Sequence, residues 1–371
     1  MTAQDYLTIG KNLTICKATM LGFGGMRMPD AAVTAKMVDA YLNSGYNFFD
    51  TAWIYGGSEE MFKEVLVKRH PRDKFLMANK LPPWEITNAP EDCEKLFKEQ
   101  LRRTGLDYFD FYLVHSIDDG REQDVEDKGL FQWVAEQKKK GFVRHMGFSF
   151  HGSAECLDRV LDRHPEAEFV YLQLNYKDIL YGPVGGWHEV ALKYGIPIFA
   201  MEPVKGGSLA ALPAPAEKLL KEHDPSRSVA SWAIQYAATL EGVTCVLSGM
   251  SGMEQLQDNL KTFKELKPLA PHEIDLLKDV LDEMAKVSNI SCTACKYCHA
   301  ACPAGINIAE CFSLYNDVKR GAAGWNRTMM YRALPQGKRA ADCTGCDACL
   351  SHCPQKVDIP RELKVVAQTL R

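Results

Sequence analysis

Short apolar runs alternate with amphipathic segments from about Ile15 to Met250 of this chain. Such alternation is typical of strand–helix units that build a parallel sheet. Eight units within roughly 250 residues predict an α/β fold, a (β/α)8 TIM barrel whose chemistry lies on loops at the carboxyl ends of the strands. The eight runs are Thr19 to Phe23, Tyr46 to Thr51, Lys74 to Asn79, Phe109 to His115, Val143 to Ser149, Phe169 to Leu174, Pro197 to Met201 and Val243 to Leu247.

An open, doubly wound sheet is the alternative to the barrel. That fold would place a glycine-rich phosphate loop between the first strand and a helix. Gly22-Phe23-Gly24-Gly25 is rich in glycine, but Met26-Arg27-Met28-Pro29 follows and does not begin a helix. The dinucleotide-binding pattern therefore fails, and the barrel is favoured. Helices are predicted over Thr34 to Asn43, Ser58 to Arg69, Pro90 to Thr104 and Ala154 to Arg163.

The chain has 371 residues, which is enough for a barrel and an appendage. Two further helical stretches, Glu254 to Leu266 and Pro271 to Val287, follow the eighth run, and a cysteine-rich tail begins at about Ser288. We therefore expect a barrel domain over residues 1–287. A small, mainly helical C-terminal domain that contains the cysteine-rich tail is expected over residues 288–371.

The overall charge restricts the classes of partner. The formal net charge is −4, and the sequence pI is near 6.2, so there is no basic surface for nucleic acid. No apolar stretch reaches the roughly 18 residues of a spanning helix, and the first residues do not form a signal peptide. These features predict a cytoplasmic protein that acts on a small molecule and binds neither membrane nor nucleic acid.

Thirteen cysteines are an odd number, and without a signal peptide they argue against a disulfide framework. Eight of them form two runs with the spacing C-x2-C-x2-C-x3-C-P, which is that of bacterial ferredoxins with [4Fe-4S] clusters. Paired zinc sites and disulfides are the alternatives, but zinc gains nothing from the triple spacing. The eight candidate ligands are Cys292, Cys295, Cys298, Cys302, Cys343, Cys346, Cys349 and Cys353.

The ferredoxin pattern also predicts how two clusters share these cysteines, because the fourth cysteine of each run ligates the other cluster. Cys353 should complete the first cluster, and Cys302 the second. Helical stretches at Ala309 to Lys319 and Arg327 to Leu334 lie between the runs and predict a helical module, not the βαββαβ form. The other cysteines are expected to be packed thiols, namely Cys16, Cys93, Cys156, Cys245 and Cys311.

Ionisable side chains follow three neighbouring strands of the predicted barrel. Asp50 and Tyr55 follow the second strand, Lys80 the third and His115 the fourth. A phenol has a reference pKa near ~10, and an adjacent ammonium would lower it, so Lys80 beside Tyr55 would make the phenol a better acid. Singly, each group could be a cap, a packed ring or a solvated residue. Together, they are the groups that proton transfer to a carbonyl oxygen requires.

These residues resemble the aldo/keto reductase family over roughly the first three quarters of the chain. The resemblance implies that Tyr55 is the general acid, that Lys80 and Asp50 tune it, and that His115 orients the substrate. It also implies hydride from a nicotinamide cofactor. The motifs that follow the family's order are Phe49-Asp50-Thr51-Ala52, Tyr55-Gly56, Ser58-Glu59, Asn79-Lys80, Leu113-Val114-His115, Gly147-Phe148-Ser149, Gln173-Leu174-Asn175-Tyr176 and Glu254 to Asn259.

The same resemblance implies the cofactor contacts. The nicotinamide carboxamide would lie near Ser149 and Gln173, although Phe150 and His151 stand where the family often has asparagine. Cationic residues that grip the NADP phosphate in the family are replaced here, so NADP, NAD and FMN all stay open. The loop after the eighth strand could hold an anion through its amides and the following helix. The further candidate contacts are Lys205, Gly206, Ser248, Gly249, Gln255, Asp258 and Asn259.

The sequence thus favours an oxidoreductase that reduces a carbonyl, or oxidises an alcohol, with a nicotinamide cofactor beside two [4Fe-4S] clusters. An electron-transfer reductase that uses a flavin or electrons directly from the clusters is the alternative. Because hydride carries two electrons, each cluster could deliver one of them to the barrel. A redox partner such as ferredoxin or flavodoxin fits either interpretation.

Overall fold

The structure, a computed structural model, describes residues 18–181, 185–264, 266–287, 289–319 and 324–370. Eight parallel strands close into a barrel in chain order, which confirms the predicted TIM barrel. Cys16 lies outside the described residues. The strands β1 to β8 are Leu21–Gly24, Phe48–Asp50, Leu76–Leu81, Phe109–Ile117, Val143–Phe150, Phe169–Gln173, Ile198–Met201 and Val243–Ser248.

Helices follow the strands, and each of the eight predicted helical stretches overlaps an observed helix. The predicted helix over Ser58 to Arg69 is interrupted. Its first part, Ser58–Phe62, continues as a π-helical turn over Lys63–Val67. Among the described residues, no helix has the length and apolar character needed to cross a membrane. Helices α1 to α16 are Ala31–Asn43, Ser58–Phe62, Glu91–Thr104, Glu122–Asp127, Leu130–Lys139, Ala154–Arg163, Tyr176–Tyr181, Gly185–Tyr194, Ala214–His223, Val229–Ala238, Met253–Lys264, Pro271–Ala285, Tyr297–Ala301, Ile308–Lys319, Gly324–Ala333 and Ile359–Thr369.

A layer of phenylalanine rings fills the interior of the barrel. The ring centroids of Phe48 and Phe111 are 5.0 Å apart, those of Phe111 and Phe169 are 5.1 Å apart, and those of Phe169 and Phe199 are 5.2 Å apart. Gly147 on β5 makes room for this layer, because an added Cβ would lie 2.3 Å from the Phe169 carbonyl oxygen. The packed rings close the lumen below the carboxyl ends of the strands, where the site residues lie.

The described chain separates into two compact units. One contains the barrel strands and comprises the described residues up to Pro203 together with Ser231–Leu269. The other comprises Val204–Ala230 and the described residues from Ala270 onward. The sequence analysis divided the chain at residue 287, whereas packing also groups the segment after β7 and helix α12 with the cysteine-rich region. Within this second unit, an Arg227 Nη1 to Glu273 Oε1 ion pair of 3.2 Å joins that segment to α12.

Candidate functional site

Strand alternation aims the predicted catalytic side chains into the top of the barrel. Residues two apart on a strand face the same side of the sheet. Phe48, Ala78 and Leu113 belong to the buried barrel interior. The residues two positions further along these strands are Asp50, Lys80 and His115.

Asp50 and Lys80 form a buried ion pair. Lys80 Nζ lies 2.7 Å from Asp50 Oδ1 and 2.9 Å from Oδ2, and it donates a third hydrogen bond of 2.7 Å to the Thr51 carbonyl oxygen. The Lys80 side chain is only 2% exposed and the Asp50 side chain only 5%. Burial lowers the pKa of Lys80 and raises that of Asp50. The opposite charge of the partner counteracts this pKa shift in each residue. The pair therefore fixes an ammonium in the barrel mouth.

Tyr55 lies in the loop between β2 and α2, close to that ammonium. Lys80 Nζ is 4.8 Å from the centroid of the Tyr55 ring. A hydrogen bond of 2.8 Å between the hydroxyls of Thr51 and Ser58 ties the two ends of the loop together. Gly57 has a φ of 78°, which permits the tight entry into α2. The loop thus holds the phenol ring beside the buried cation.

His115 completes the group of four that the sequence predicted. Its ring packs edge-on to that of Tyr55, with 6.4 Å between centroids, and Trp84 packs on it at 5.2 Å. Burial, reinforced by the Lys80 ammonium, holds the pKa of His115 well below its usual value. The imidazole is therefore neutral at neutral pH and can orient a carbonyl oxygen without adding a second positive charge.

A second layer of polar side chains, to which the sequence analysis gave no role, supports Lys80. Asn79 Nδ2 donates to Glu59 Oε1 at 2.8 Å, and Asn79 Oδ1 accepts from the Lys80 amide at 2.8 Å. Gln100 Nε2 donates to the Lys80 carbonyl oxygen at 2.9 Å. Glu59 is 2% exposed, and Arg103 Nη1 lies 3.2 Å from its Oε2. Ser58-Glu59 and Asn79-Lys80 were visible as motifs, but their pairing depends on tertiary packing.

His151 is a second buried histidine at this end of the barrel, two residues beyond Ser149 on β5. Its Nδ1 has no hydrogen-bond partner within the part of the chain that the structure describes. Burial, with a contribution from Arg121, lowers the pKa of His151 to about 4. The sequence analysis noted His151 only as a departure from the family pattern.

His151 should make the barrel sensitive to acid. Its unfolded-state pKa is ~6.5, so below that pH the unfolded chain binds a proton that the native chain does not bind until about pH 4. Stability is therefore lost as pH falls between these values. When the pH is lowered from about 7.5 to about 5, the apparent unfolding free energy of the parent should fall. That of the His151→Asn variant should fall by ~2 kcal/mol less. Urea titrations followed by tryptophan fluorescence measure this difference, and identical losses in both proteins would contradict it.

The side chains predicted to contact the nicotinamide are held by neighbours. Ser149 Oγ accepts a hydrogen bond of 2.7 Å from the Ser116 amide. Gln173 Nε2 and Asn175 Nδ2 both donate to Asp178 Oδ2, at 2.5 and 2.8 Å. Asp178 was not singled out from the sequence. It orients both amide side chains at the carboxyl end of β6.

The loop after β8 is braced by two of the predicted cofactor contacts. Ser248 Oγ accepts from Asn259 Nδ2 at 2.7 Å, and the Ser251 amide donates to Gln255 Oε1 at 2.7 Å. Asp258 is half-buried on the same helix, α11. The Arg27 guanidinium, which follows β1 in sequence, lies near this loop. Its Nη1 would be 3.9 Å from a Cβ added to Gly249. The sequence analysis did not identify Arg27, because its position near Gly249 depends on the pairing of β1 with β8.

Two other predicted cofactor contacts belong to the second unit. Lys205 is buried, and its Nζ donates to Gln355 Oε1 at 2.8 Å. Gly206 has a φ of 65°, and a Cβ added there would lie 2.5 Å from the Thr293 Cα. Both residues thus contact the cysteine-rich region. Gln355, the partner of Lys205, lies two residues after Cys353, and Thr293, the neighbour of Gly206, follows Cys292. The predicted role of Lys205 and Gly206 at a cofactor pyrophosphate stays a prediction.

The two cysteine runs share several backbone features, although the first contains a short α-helix and the second a 3-10 turn. In each run, the residue four positions after the fourth cysteine donates its amide to that sulfur, at 3.4 Å from Ile306 to Cys302 and at 3.4 Å from Val357 to Cys353. Positive φ angles also recur at matching positions. The matched pairs are Ala294 with Gly345, Lys296 with Asp347, and Gly305 with Lys356.

The eight cysteines form two predicted sets, each of which includes the fourth cysteine of the other run. The thiols of Cys295, Cys292, Cys353 and Cys349 reinforce the effect of burial in raising the pKa of Cys298. The second set surrounds a single cavity lined by Cys302, Cys343, Cys346 and Cys349. Among the described residues, no three His, Cys, Asp or Glu side chains are positioned to hold one metal ion. The exchange of the fourth cysteine between the runs therefore stays a prediction.

Four of the remaining cysteines are buried, as predicted. Cys93, Cys245 and Cys311 are fully buried in helices or strands. Cys156 Sγ donates to Glu122 Oε2 at 3.3 Å, and burial together with that carboxylate raises the pKa of the thiol to about 12. These thiols are buried and lie outside the two cysteine runs, so they are not candidate ligands.

Comparison with known proteins finds two family matches within this chain. Residues 20–282 match the model for the aldo/keto reductase family, and residues 291–357 match that for a 4Fe-4S dicluster domain. Aldo-keto reductase str7 of Strobilurus tenacellus is 28% identical over 47% of this chain and 51% of that protein. An aldo-keto reductase of Mycolicibacterium vanbaalenii is 26% identical over 65% of this chain and 81% of its own length. The chain thus spans about half the length of the Strobilurus protein.

Solved structures show the same barrel. The holo form of an aldo-keto reductase from Bacillus halodurans has a TM-score of 0.59 and 23% identity, covering 71% of this chain and 92% of that one. An aldo/keto reductase from Klebsiella pneumoniae, solved in complex with NADP and acetate, has a TM-score of 0.58 and 19% identity, with coverage of 72% and 92%. At these identities the likeness concerns the fold alone. The family match, however, spans more than half of the chain, and the protein therefore belongs to the aldo/keto reductase family and has a 4Fe-4S dicluster domain.

Proposed function

We propose that the barrel reduces a small-molecule carbonyl, or oxidises the corresponding alcohol, with hydride exchanged with a nicotinamide cofactor. The observation that carries this proposal is the buried Asp50–Lys80 pair, whose ammonium lies 4.8 Å from the Tyr55 ring. A cation held there favours the phenolate that remains once Tyr55 has given its proton to the carbonyl oxygen. Burying a lysine is costly unless its charge is paired, and groups perturbed in this way cluster at functional sites.

His115 has a separate task in the proposed reaction. Because its pKa is depressed, the ring stays neutral and can donate one N–H to the carbonyl oxygen that Tyr55 protonates. Trp84 packs on the ring and limits its rotation. Tyr55 and His115 thus define the position of the carbonyl, and the ion pair is screened from water beneath them.

The residues that would hold the cofactor fit a nicotinamide nucleotide. Ser149 and Gln173 present polar groups at the ends of β5 and β6, which would suit a carboxamide. The amides of the loop at Ser248 and Gly249, with Arg27 close by, would suit a phosphate group. When bound, the nicotinamide supplies the hydride. FMN, which also carries a phosphate, is the alternative occupant of the same loop.

Deuterium transfer tests the proposed hydride donor. With NADPH or NADH deuterated at the transferring position and 4-nitrobenzaldehyde as a probe substrate, the alcohol formed should carry one deuterium per oxidised nucleotide. The rates with the two nucleotides would show which is preferred. Product that lacks deuterium, or protein purified with a flavin spectrum and no nucleotide oxidation, would overturn the nicotinamide proposal in favour of the flavin alternative.

We further propose that the second unit holds two [4Fe-4S] clusters. The recurring backbone features and the cavity lined by four of the cysteines support this proposal. One set would be Cys292, Cys295, Cys298 and Cys353, and the other would be Cys302, Cys343, Cys346 and Cys349. Bound clusters would supply single electrons. Amide hydrogen bonds to Cys302 and Cys353 would stabilise the thiolate charge and tune the reduction potential.

A further inference from the structure

A cationic groove lies beside the candidate ligand Cys343. It has a volume of about 450 Å³, and Arg332, Arg339 and Lys364 contribute its charged walls. Cys343 lines both this groove and the cavity formed by the second set of cysteines. The groove and the proposed cluster site therefore share a lining residue, Cys343.

The charge of the groove reflects an imbalance in the chain. Residues 288–371 contain eleven lysines and arginines but only six aspartates and glutamates, although the whole chain has a formal net charge of −4. Asp342 lies near the groove, and its carboxylate accepts a hydrogen bond from the Arg339 amide. Arg332 and Lys364 are exposed to solvent at the groove walls. Positive charge is therefore concentrated in the region that would exchange electrons.

Apolar groups are also exposed in this region of the sequence. Cys346, a member of the second set, is exposed, and Leu350 is 37% exposed four residues later. Weak electron-transfer complexes bury small areas and rely on charge complementarity to orient the cofactors. An exposed ligand, a nearby apolar side chain and a cationic groove provide the elements of such a contact.

We infer that this groove docks the acidic face of a one-electron carrier protein, which exchanges electrons with the cluster ligated by Cys343. The inference rests on the proposed iron–sulfur function of the second unit. In the forward direction, the carrier loses one electron and the cluster gains it, and no bond is formed or broken. Two such transfers would match the two electrons of one carbonyl reduction.

Charge reversal in the groove tests the inference with the full-length, anaerobically prepared protein. The probe is an acidic plant-type [2Fe-2S] ferredoxin, whose binding is followed by biolayer interferometry at low and high salt. Arg332→Glu with Lys364→Glu should weaken binding at low salt by about 10–100-fold and remove most of its salt dependence. Arg339 is left intact, because its side chain donates to the carbonyl oxygens of Leu334 and Arg332 and so supports the end of α15.

The matched control reverses two lysines in the same unit but outside the groove. Lys218→Glu with Lys286→Glu changes the net charge equally, and these side chains are 71% and 66% exposed. Binding of the ferredoxin should stay within about twofold of the parent in this control. Equal weakening in both double variants, or binding without salt dependence in the parent, would overturn the docking site.

Reduction by dithionite separates this inference from the proposed function. Bleaching of iron–sulfur absorbance near ~400 nm by dithionite should be equal in the parent and the groove variant. Equal bleaching with weakened ferredoxin binding supports the groove as the docking site. Equal bleaching with unchanged binding refutes the groove but retains the clusters. Absence of iron–sulfur absorbance in the parent would instead overturn the cluster proposal.

Discussion

Replacing Tyr55 by phenylalanine is expected to lower kcat for carbonyl reduction by about 10²–10⁴-fold, because the substrate oxygen then lacks its proton donor. The ring stays in place beside Lys80, so the loop and the cofactor site should be preserved. Affinity for NADPH, measured by quenching of tryptophan fluorescence, should remain within about twofold of the parent. This combination separates loss of proton transfer from loss of binding.

Tyr181→Phe is the control for the Tyr55 experiment. Tyr181 lies at the end of α7 and is 60% exposed, so removal of its hydroxyl should change kcat by less than about twofold. Lys80→Met provides a second comparison, because it keeps the length of the side chain but removes the ammonium beside the phenol. Turnover that survives Tyr55→Phe would exclude Tyr55 as the acid, whatever the effect at Lys80.

The convergence of the catalytic candidates could be predicted from sequence because strand periodicity determines it. Asp50, Lys80 and His115 end runs of alternating residues, and parallel strands in a barrel bring their carboxyl ends together. Tyr55 lies five residues beyond Asp50, and a short loop leaves it little freedom to move away. The prediction of these positions therefore needed only the period of the strands and the order of the barrel.

Other features depend on partners that lie far apart in the chain, and local pattern does not reveal them. The sequence makes Lys205 a candidate cofactor contact because it follows β7, and it gives no sign that the ammonium binds Gln355, 150 residues away in the same unit. Arg27 was read only as part of a sequence that failed to start a helix, although β1 pairs with β8 and places it near Gly249. Long-range packing, which has no period in the sequence, decides both positions.

Cys353→Ala is expected to remove about half of the iron from the protein, because one of the two clusters loses a ligand. If the fourth cysteine is exchanged between the runs, the lost cluster is the one held by the first run, although Cys353 itself lies in the second. Iron and acid-labile sulfide analysis of the anaerobically purified protein measures the loss. Cys311→Ala is the control, since this buried cysteine lies in neither set and its removal should leave the iron content unchanged.

Double variants determine which cluster Cys353 serves. Combined with Cys295→Ala, the Cys353→Ala change should leave about half of the iron, because both residues would belong to the same cluster. Combined with Cys346→Ala, it should remove nearly all of the iron, because both clusters would then be incomplete. The reverse pattern would show that each run holds its own cluster. Comparing the two double variants therefore tests the crossed arrangement directly, since general destabilisation by two cysteine replacements would lower both iron contents alike.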